Sequence, residues 1–164
     1  MIPNTRLIAG DYPFHRIVQH GRTKLASCIA AGVTAFVDLT SPEDRLIPYQ
    51  DQLFRDCTSA RRYSFPIRDL GVPTVELMGR ILDTIDSELS SGATVYLHCW
   101  GGVGRTGTVA GCYLRRQGWD PDEALAEVGR LFATMPEAKT IQHAGSPETH
   151  EQREFVRAWA SPAR

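Results

Sequence analysis

The sequence predicts an α/β protein with a largely parallel central sheet flanked by helices. Short apolar runs of strand length alternate along the chain with longer stretches whose apolar residues recur at helical spacing. The chain has 164 residues, of which 42% are hydrophobic and 23% are charged, a composition that suits one globular domain. We therefore expect a single domain over residues 1–164.

Four segments are predicted as strands because they are short, apolar and bounded by Gly, Pro or polar residues. Two of them, 35–40 and 94–98, are apolar enough to be buried on both faces of a sheet. Pro66 lacks a backbone N–H and therefore favours the end or the edge of a strand. The four predicted strands cover residues 6–10, 35–40, 62–67 and 94–98.

Longer periodic stretches predict the helices. Asp120-Pro-Asp-Glu123 combines a capping Asp with Pro at the first helical position, and Ser146-Pro-Glu-Thr149 repeats this start. Residues 41–44 form a loop or a helix start, and residues 69–73 form a loop. The predicted helices cover residues 24–31, 49–55, 74–89, 104–117, 121 to about 135, and a last helix through 159.

Charge and composition argue against several classes of partner. The formal net charge is -1, so no overall field attracts nucleic acid or an anionic membrane. No apolar run approaches the roughly 20 residues of a membrane span, and the N-terminus lacks the pattern of a signal peptide. We expect a cytoplasmic monomer that binds neither nucleic acid nor membrane.

The four cysteines show no CxxC spacing, which argues against zinc and thioredoxin-type chemistry. Cys28 and Cys112 lie in apolar stretches and are expected to be inert core thiols. Cys57 lies in a polar segment and has no assigned role.

The stretch VYLHCWGGVGRTG, residues 95–107, contains Gly102-x-Gly104-x-x-Gly107, which matches a dinucleotide-binding fingerprint. That fold requires further strands after the glycines. Only helical patterns follow Gly107, so this interpretation is disfavoured. A Walker phosphate loop is also excluded, because no Lys precedes Thr106.

A phosphate loop with a nucleophilic thiol accounts for more of these residues. Cys99 ends a strand just before a helix begins, so backbone amides can curl around an anion beside the thiol. Arg105 offers a planar fork for two phosphate oxygens. Thr106 can donate its hydroxyl to the Cys99 sulfur, and His98 can support the loop from behind. The expected phosphate-binding residues are Trp100, Gly101, Gly102, Val103, Gly104 and Arg105.

His98-Cys99-x-x-Gly102-x-x-Arg105-Thr106 resembles the HCxxGxxR(S/T) signature of cysteine-dependent protein tyrosine phosphatases. The short chain and the central position of the loop resemble the compact dual-specificity branch. The low-molecular-weight branch carries its loop near the N-terminus and does not fit. The resemblance implies a phosphatase-like fold in which a strand, the phosphate loop and a helix follow one another.

The resemblance also implies a general acid on a loop upstream of the nucleophile. Asp69 lies thirty residues before Cys99 in a segment flanked by Gly and Pro, FPIRDLGVP, and an acid there could protonate the leaving oxygen. A turn Asp with only a capping role is the alternative. Asp38 is the next candidate acid, although its apolar strand favours a structural role. Residues 7–12 either border the cleft or form a plain strand and turn.

A weaker match lies near the C-terminus, where ETHEQREF, residues 148–155, resembles the QTxxQxxF segment of larger tyrosine phosphatases. That segment orients the hydrolytic water, which implies a supporting role for Gln152. Glu148 stands where the family has its first Gln. A capped amphipathic helix that packs Phe155 is an equally good interpretation.

Together these features imply a metal-independent phosphomonoesterase that forms a cysteinyl-phosphate at Cys99. Asp69 first protonates the leaving group and then activates water. Arg105 and the loop amides stabilise the transferring group, so no cofactor is expected. The alternatives are a sulfurtransferase-like or arsenate-reducing enzyme and a phosphate-binding module without activity.

The resemblance indicates that the substrate is a phosphorylated protein, and that the enzyme acts either on phosphotyrosine or with dual specificity. Phosphoinositide phosphatases of the superfamily place Lys inside the loop, and residues 100–104 contain none. A small phosphoester remains a possible substrate at this stage.

Overall fold

The computed structural model describes residues 1–160 and contains a four-stranded sheet flanked by helices on both faces. All strand pairs are parallel, and the strand order is β1-β4-β2-β3. This confirms the predicted α/β class with a parallel sheet. The strands are β1 (Leu7–Gly10), β2 (Val33–Asp38), β3 (Arg61–Ser64) and β4 (Thr94–His98).

Helices connect the strands, and between β4 and residue 160 only helices and loops follow. A single 3-10 turn, Pro42–Asp44, lies between β2 and α2. The helices are α1 (Val18–Ala30), α2 (Gln50–Asp56), α3 (Val75–Ser90), α4 (Gly104–Arg116), α5 (Pro121–Phe132), α6 (Glu137–Gln142) and α7 (His150–Ala158). Within residues 1–160, none of these helices has the length and apolar character needed to cross a bilayer.

The two faces of the sheet form two separate cores. Alternate side chains of β4 point to opposite faces, as the strand period requires. Val95 and Leu97 enter the larger core, which α3, α4, α5 and α7 cover. Tyr96 enters the smaller core, which includes Leu25 of α1 and Leu53 of α2. Because helices cover both faces, β4 is buried along almost its full length.

The parallel arrangement places the carboxyl ends of all four strands at one edge of the sheet. The segments after these ends begin at Asp11, Leu39, Phe65 and Cys99. In open parallel sheets this edge is where ligands bind. The nucleophile candidate, which follows the central strand β4, therefore lies between segments that follow the outer strands.

Several element boundaries differ from the predictions. The third strand ends at Ser64, although Phe65 N and Ile67 N still donate to Asp38 O and Leu39 O, at 2.8 and 3.1 Å. Pro66, which has no N–H, interrupts the regular pairing there. The last helix is capped by Thr149 and not by Ser146.

Two helical boundaries differ by several residues, and one helix was not predicted. α1 begins at Val18, six residues before the predicted start, because a polar first turn hid its periodicity. The helix expected to reach about residue 135 ends at Phe132. The short helix α6, Glu137–Gln142, was not predicted, and its sequence EAKTIQ has too few turns to show a period.

Candidate active site

The loop from Cys99 to Arg105 turns its carbonyl groups away from the thiol. Because N–H and C=O of a trans peptide point in opposite directions, the amides face inward. The Gly102 amide shows this directly by donating to Cys99 Sγ at 3.3 Å. Before α4 begins, four carbonyls of the loop accept from donors outside it. These are His98 Nδ1 to Cys99 O at 3.4 Å, Tyr12 N to Trp100 O at 2.9 Å, Lys139 Nζ to Gly101 O at 2.8 Å and Ser146 Oγ to Val103 O at 2.7 Å.

Gly102 allows the loop to curl against the end of β1. Its φ is +76°, in the left-handed region that favours glycine. A Cβ at this position would lie 2.7 Å from Gly10 C, Gly10 O and Asp11 N. The loop therefore requires glycine here for both conformation and space.

His98 lies behind the loop, where the sequence placed it, and is fully buried. Its Nδ1 lies 3.4 Å from Cys99 O, and since a carbonyl only accepts, Nδ1 carries the proton. Nε2 then accepts from the Tyr49 hydroxyl at 2.8 Å. Burial lowers the pKa of His98 to about 4, so the imidazole is neutral near pH 7.

Arg105 is almost fully buried beneath the loop and is held by a residue that sequence reasoning missed. Its Nη1 donates to Asp44 Oδ2 at 2.6 Å and to Ile67 O at 3.0 Å. Nη2 lies 3.3 Å from Asp44 Oδ1. Burial lowers the pKa of Arg105, but Asp44 and the charges of Cys99 and Asp69 raise it overall, so the guanidinium stays charged.

The opposite edge of the Arg105 guanidinium remains available for an anion. Nε is buried and has no hydrogen-bond partner among the described residues. Nη2, on the same edge, lies 2.9 Å from Asp69 Oδ1. A phosphate could engage both atoms of this edge if Asp69 moved aside.

Asp69 lies on the cleft wall with its side chain half exposed, 52%, in a loop of unusual backbone geometry. The next residue, Leu70, has a φ of 62°, which is uncommon for a non-glycine residue. Gly71 N closes a turn onto Arg68 O at 3.0 Å. The structure therefore brings Asp69 to the cleft that contains Cys99.

Asp38, the second candidate acid, is not placed to act on a substrate. Its Oδ1 accepts from Thr40 N and Thr40 Oγ1 at 2.8 and 2.6 Å, and its Oδ2 pairs with Arg62 Nη2 at 2.7 Å. The carboxylate is fully buried. These contacts support the structural role that its strand position indicated.

Gln152 is fully buried and connects α7 to the acid loop. Its Nε2 donates to Gly71 O at 3.1 Å, while its Oε1 accepts from Glu148 N and Thr149 N at 3.0 and 3.1 Å. These last bonds complete a capping box at the start of α7. Gln152 therefore caps a helix and also contacts the loop that carries Asp69.

Thr106 does not make the expected contact with the thiol in this conformation. Its hydroxyl donates to Gly10 O, at the long distance of 3.5 Å. The side chain lies in the first turn of α4 and is directed toward the end of β1. Its catalytic role therefore stays a prediction.

The cleft in front of the loop has a volume of about 470 Å³. Cys99, Asp69 and Arg105 line it, and the half-exposed Trp100 lies at its rim. Asp11 and Tyr12 also line it, so the segment after β1 does border the cleft. Sequence reasoning missed the lining residues Lys24, Lys139 and His143. Glu148, which the sequence showed only as a departure from the QTxxQxxF segment, also lines the cleft.

The other cysteines lie outside this cleft, and the structure pairs none of the four. Cys112 is fully buried in the larger core, and burial raises the pKa of its thiol. Cys28 packs half-buried against the smaller core, and burial raises its pKa as well. Both positions fit the expectation of inert thiols.

Comparison with protein families gives a match over most of the chain. The family described as "PTP-SAK: Swiss Army Knife protein, DSP-PTPase phosphatase domain" matches residues 13–156. This range includes the phosphate loop, the acid loop and Gln152.

Individual relatives agree with this match. An uncharacterized protein of Methanocaldococcus jannaschii is 39% identical over 92 residues, 56% of this chain and 54% of the relative. A protein of Invertebrate iridescent virus 3, provisionally named tyrosine phosphatase 067L, is 35% identical over 116 residues, 66% of this chain and 42% of the relative. The chain thus spans about half the length of these relatives.

Among solved structures, the crystal structure of Tk-PTP in the active form has a TM-score of 0.68 and 28% sequence identity to this chain. The alignment covers 96% of each chain. The chain therefore belongs to the PTP-SAK family of DSP-PTPase domains, in the compact dual-specificity phosphatase-like branch of the cysteine-dependent protein tyrosine phosphatase superfamily.

Proposed function

We propose that this protein is a metal-independent phosphomonoesterase that acts on phosphotyrosine or on dual-specificity protein substrates through a cysteinyl-phosphate. The observation that carries the proposal is the Nε–Nη2 edge of Arg105 in the cleft that Cys99 and Asp69 also line: its Nε has no partner among the described residues, and its Nη2 contacts the half-exposed Asp69. The inward-facing loop amides and this edge form a cradle for a phosphoryl group. The family match and the names of Tk-PTP and the viral relative support a protein substrate.

In the first step, Cys99 Sγ attacks phosphorus and the bond to the leaving oxygen breaks. The loop amides and Arg105 stabilise the equatorial oxygens, where charge redistributes in the transition state. In the structure Asp69 occupies Nη2 of Arg105. An incoming phosphate competes for this position and displaces Asp69, and the displaced carboxyl, in its protonated form, donates its proton to the leaving oxygen.

In the second step, water attacks phosphorus and the S–P bond breaks, which regenerates the thiolate and releases phosphate. Asp69, ionised after the first step, accepts the proton from this water. Gln152, which contacts the acid loop through Gly71 O, acts as a positioning residue for that loop.

We also propose that residues 1–164 form one phosphatase domain that acts as a cytoplasmic monomer without binding nucleic acid. A reducing compartment keeps a nucleophilic thiol active, because oxidation removes the thiol. The net charge of -1 gives no field for nucleic acid.

The test is phosphate release from a panel of phosphotyrosine, phosphoserine, phosphothreonine, inositol phosphate and nucleotide substrates. The protein should hydrolyse at least one phosphopeptide. After rapid quenching, mass spectrometry should find one phosphoryl group on the peptide that contains Cys99. Cys99→Ser should bind the same substrate without turnover, because a hydroxyl is a poor nucleophile at neutral pH.

Three outcomes would contradict the proposal. Activity on thiosulfate or arsenate alone would favour the sulfurtransferase-like or arsenate-reducing alternative. Tight phosphopeptide binding without phosphate release would favour a binding module. Normal turnover by Cys99→Ser would exclude the covalent mechanism.

A further inference from the structure

The sequence contains only two lysines, and the fold brings both to the same side chain in the cleft. Lys24 lies on α1 and Lys139 on α6. Lys24 Nζ lies 2.5 Å from Asp11 Oδ1, and Lys139 Nζ lies 2.6 Å from Asp11 Oδ2. We call these three residues the lysine cluster. Two segments distant in sequence thus converge on one carboxylate beside the candidate active site.

The lysine cluster carries an excess of positive charge that the cleft can reach. Burial raises the pKa of Asp11, but the hydrogen bonds and charges of Lys139 and Lys24 lower it overall, so Asp11 stays anionic. One carboxylate then faces two ammonium groups. The side chains are 28% exposed for Asp11, 35% for Lys24 and 27% for Lys139.

The lysines also retain capacity for another acceptor. An ammonium group has three N–H bonds. Among the described residues, Lys24 donates one hydrogen bond, to Asp11, and Lys139 donates two, to Asp11 and Gly101 O. A phosphate or carboxylate in the cleft could therefore accept from both lysines without breaking the contact with the loop.

The position of the lysine cluster sets where such an anion would lie. Lys139 Nζ is 2.8 Å from Gly101 O, so the cluster touches the phosphate loop itself. Asp11 follows β1, and Asp69 lies in the segment between β3 and α3. The strands β1 and β3 form the two opposite edges of the sheet. The cluster and the acid therefore follow strands on opposite sides of β4, the strand that leads to Cys99.

We propose that Lys24 and Lys139 form a second anion subsite, which binds a second phosphate or carboxylate group of the substrate next to the scissile phosphate. Asp11 occupies the subsite when no substrate is bound. The inference rests on the proposed phosphatase function and narrows its substrates to phosphoesters that carry a second negative group nearby. The absence of lysine inside the loop is thus compensated by lysines from α1 and α6.

The test compares binding of methylphosphonate and methylenebisphosphonate, which are not hydrolysed, by calorimetry. The wild-type protein should prefer the bisphosphonate by about tenfold, on the scale of charge-assisted contacts. Lys24→Met should reduce this ratio about fivefold, and Asp11→Asn should increase it. Arg22→Met removes the same charge from an exposed position on α1 and should leave the ratio unchanged.

A measurement on the unsubstituted protein covers the case in which a variant folds poorly. Growth with isotope-labelled lysine marks only the two lysine side chains and leaves their ammonium groups unchanged, because the chain has no other lysine. Both lysine NMR signals should shift more with the bisphosphonate than with the monophosphonate. Equal shifts, or a binding ratio that Lys24→Met leaves at the wild-type value, would overturn the proposal.

Turnover then identifies where the second anion comes from. One arm compares phosphotyrosine peptides with Glu or Gln beside the phosphorylated residue, and the other compares bisphosphorylated with monophosphorylated small molecules. In each arm, kcat/KM for the substrate with the second anion is divided by kcat/KM for the substrate without it. The arm in which Lys24→Met lowers this ratio identifies the type of substrate. Phosphonate binding needs no turnover, so the two proposals can fail separately. A Lys24-dependent preference for the bisphosphonate without any hydrolysis would refute only the proposed phosphatase activity. Hydrolysis without that preference would refute only the proposed anion subsite.

Discussion

Arg105 and Asp44 form an ion pair beneath the phosphate loop, with Nη1 2.6 Å from Oδ2 and Nη2 3.3 Å from Oδ1. Their side chains are only 1% and 3% exposed. Asp44 is itself fixed, because its Oδ2 accepts from Ser41 N at 2.9 Å within the capping box of the 3-10 turn. The pair orients the guanidinium so that its Nε–Nη2 edge remains for the substrate.

Asp44→Asn should therefore weaken both folding and phosphate binding. Loss of one partner of a buried ion pair costs about 3–5 kcal/mol, and Asp69 offsets part of this here. We expect the free energy of unfolding in urea to fall by about 2–3 kcal/mol and kcat/KM to fall at least tenfold. Asp51→Asn, at an exposed position on α2, is the control. An Asp44→Asn protein as stable and active as this control would show that Asp44 does not orient Arg105.

Asp69→Asn should separate catalysis from binding. For alkyl phosphates, whose leaving oxygen needs a proton, kcat should fall by roughly 10²–10⁴. The loss should shrink for aryl phosphates with acidic leaving groups. Inorganic phosphate should bind at least as tightly as in wild type, because the carboxylate that competes for Arg105 Nη2 has lost its charge. Equal losses of kcat across leaving groups would mean that Asp69 is not the acid.

Gly102→Ala should destabilise the protein far more than Gly101→Ala. At position 102 an added methyl group would lie 2.7 Å from the backbone at the end of β1, and the loop would force alanine to adopt a positive φ. At position 101 the nearest neighbouring atom to an added methyl group is Val103 Cγ2, at 3.8 Å. The strained conformation alone costs about 1–3 kcal/mol. Thermal unfolding of the two variants measures the difference. Similar melting temperatures would show that the loop can move away from β1 at little cost.

Acid should destabilise the fold partly through His98. Its pKa is about 4 in the folded protein, below the usual 6.5, so the unfolded chain binds the proton more readily. His98 contributes about 3 kcal/mol to the free energy of unfolding. This contribution is complete above pH 6.5 and decreases as the pH falls from 6.5 to 4. Urea unfolding at a series of pH values should show a shallower dependence for His98→Asn. An identical pH dependence would indicate that His98 is not the buried neutral base.

Local patterns in the sequence were sufficient for the parallel α/β class and for the loop. The signature around Cys99 and Arg105 is contiguous in sequence. Its glycines, its thiol and its guanidinium are therefore near one another in any fold, and the pattern can be recognised without the tertiary structure. Asp69 was singled out because its loop, flanked by Gly and Pro, resembles the acid loop of the family, and its role as the acid stays a prediction. The start of α1 and the short helix α6 could not be predicted. The first turn of α1 lacks apolar periodicity, and α6 is too short to show a period.

The surroundings of the loop depend on contacts between residues far apart in the chain, which no local pattern encodes. Asp44 looked like part of a turn until the fold placed it 2.6 Å from Arg105. Lys24 and Lys139 gave no signal, since neither belongs to a motif in its own segment. The order β1-β4-β2-β3 brings the segments after β1, β2 and β3 around Cys99, and only that arrangement makes these charges neighbours. The sequence by itself therefore determined the loop, and the tertiary structure decided which residue pairs with its arginine and which charges line its cleft.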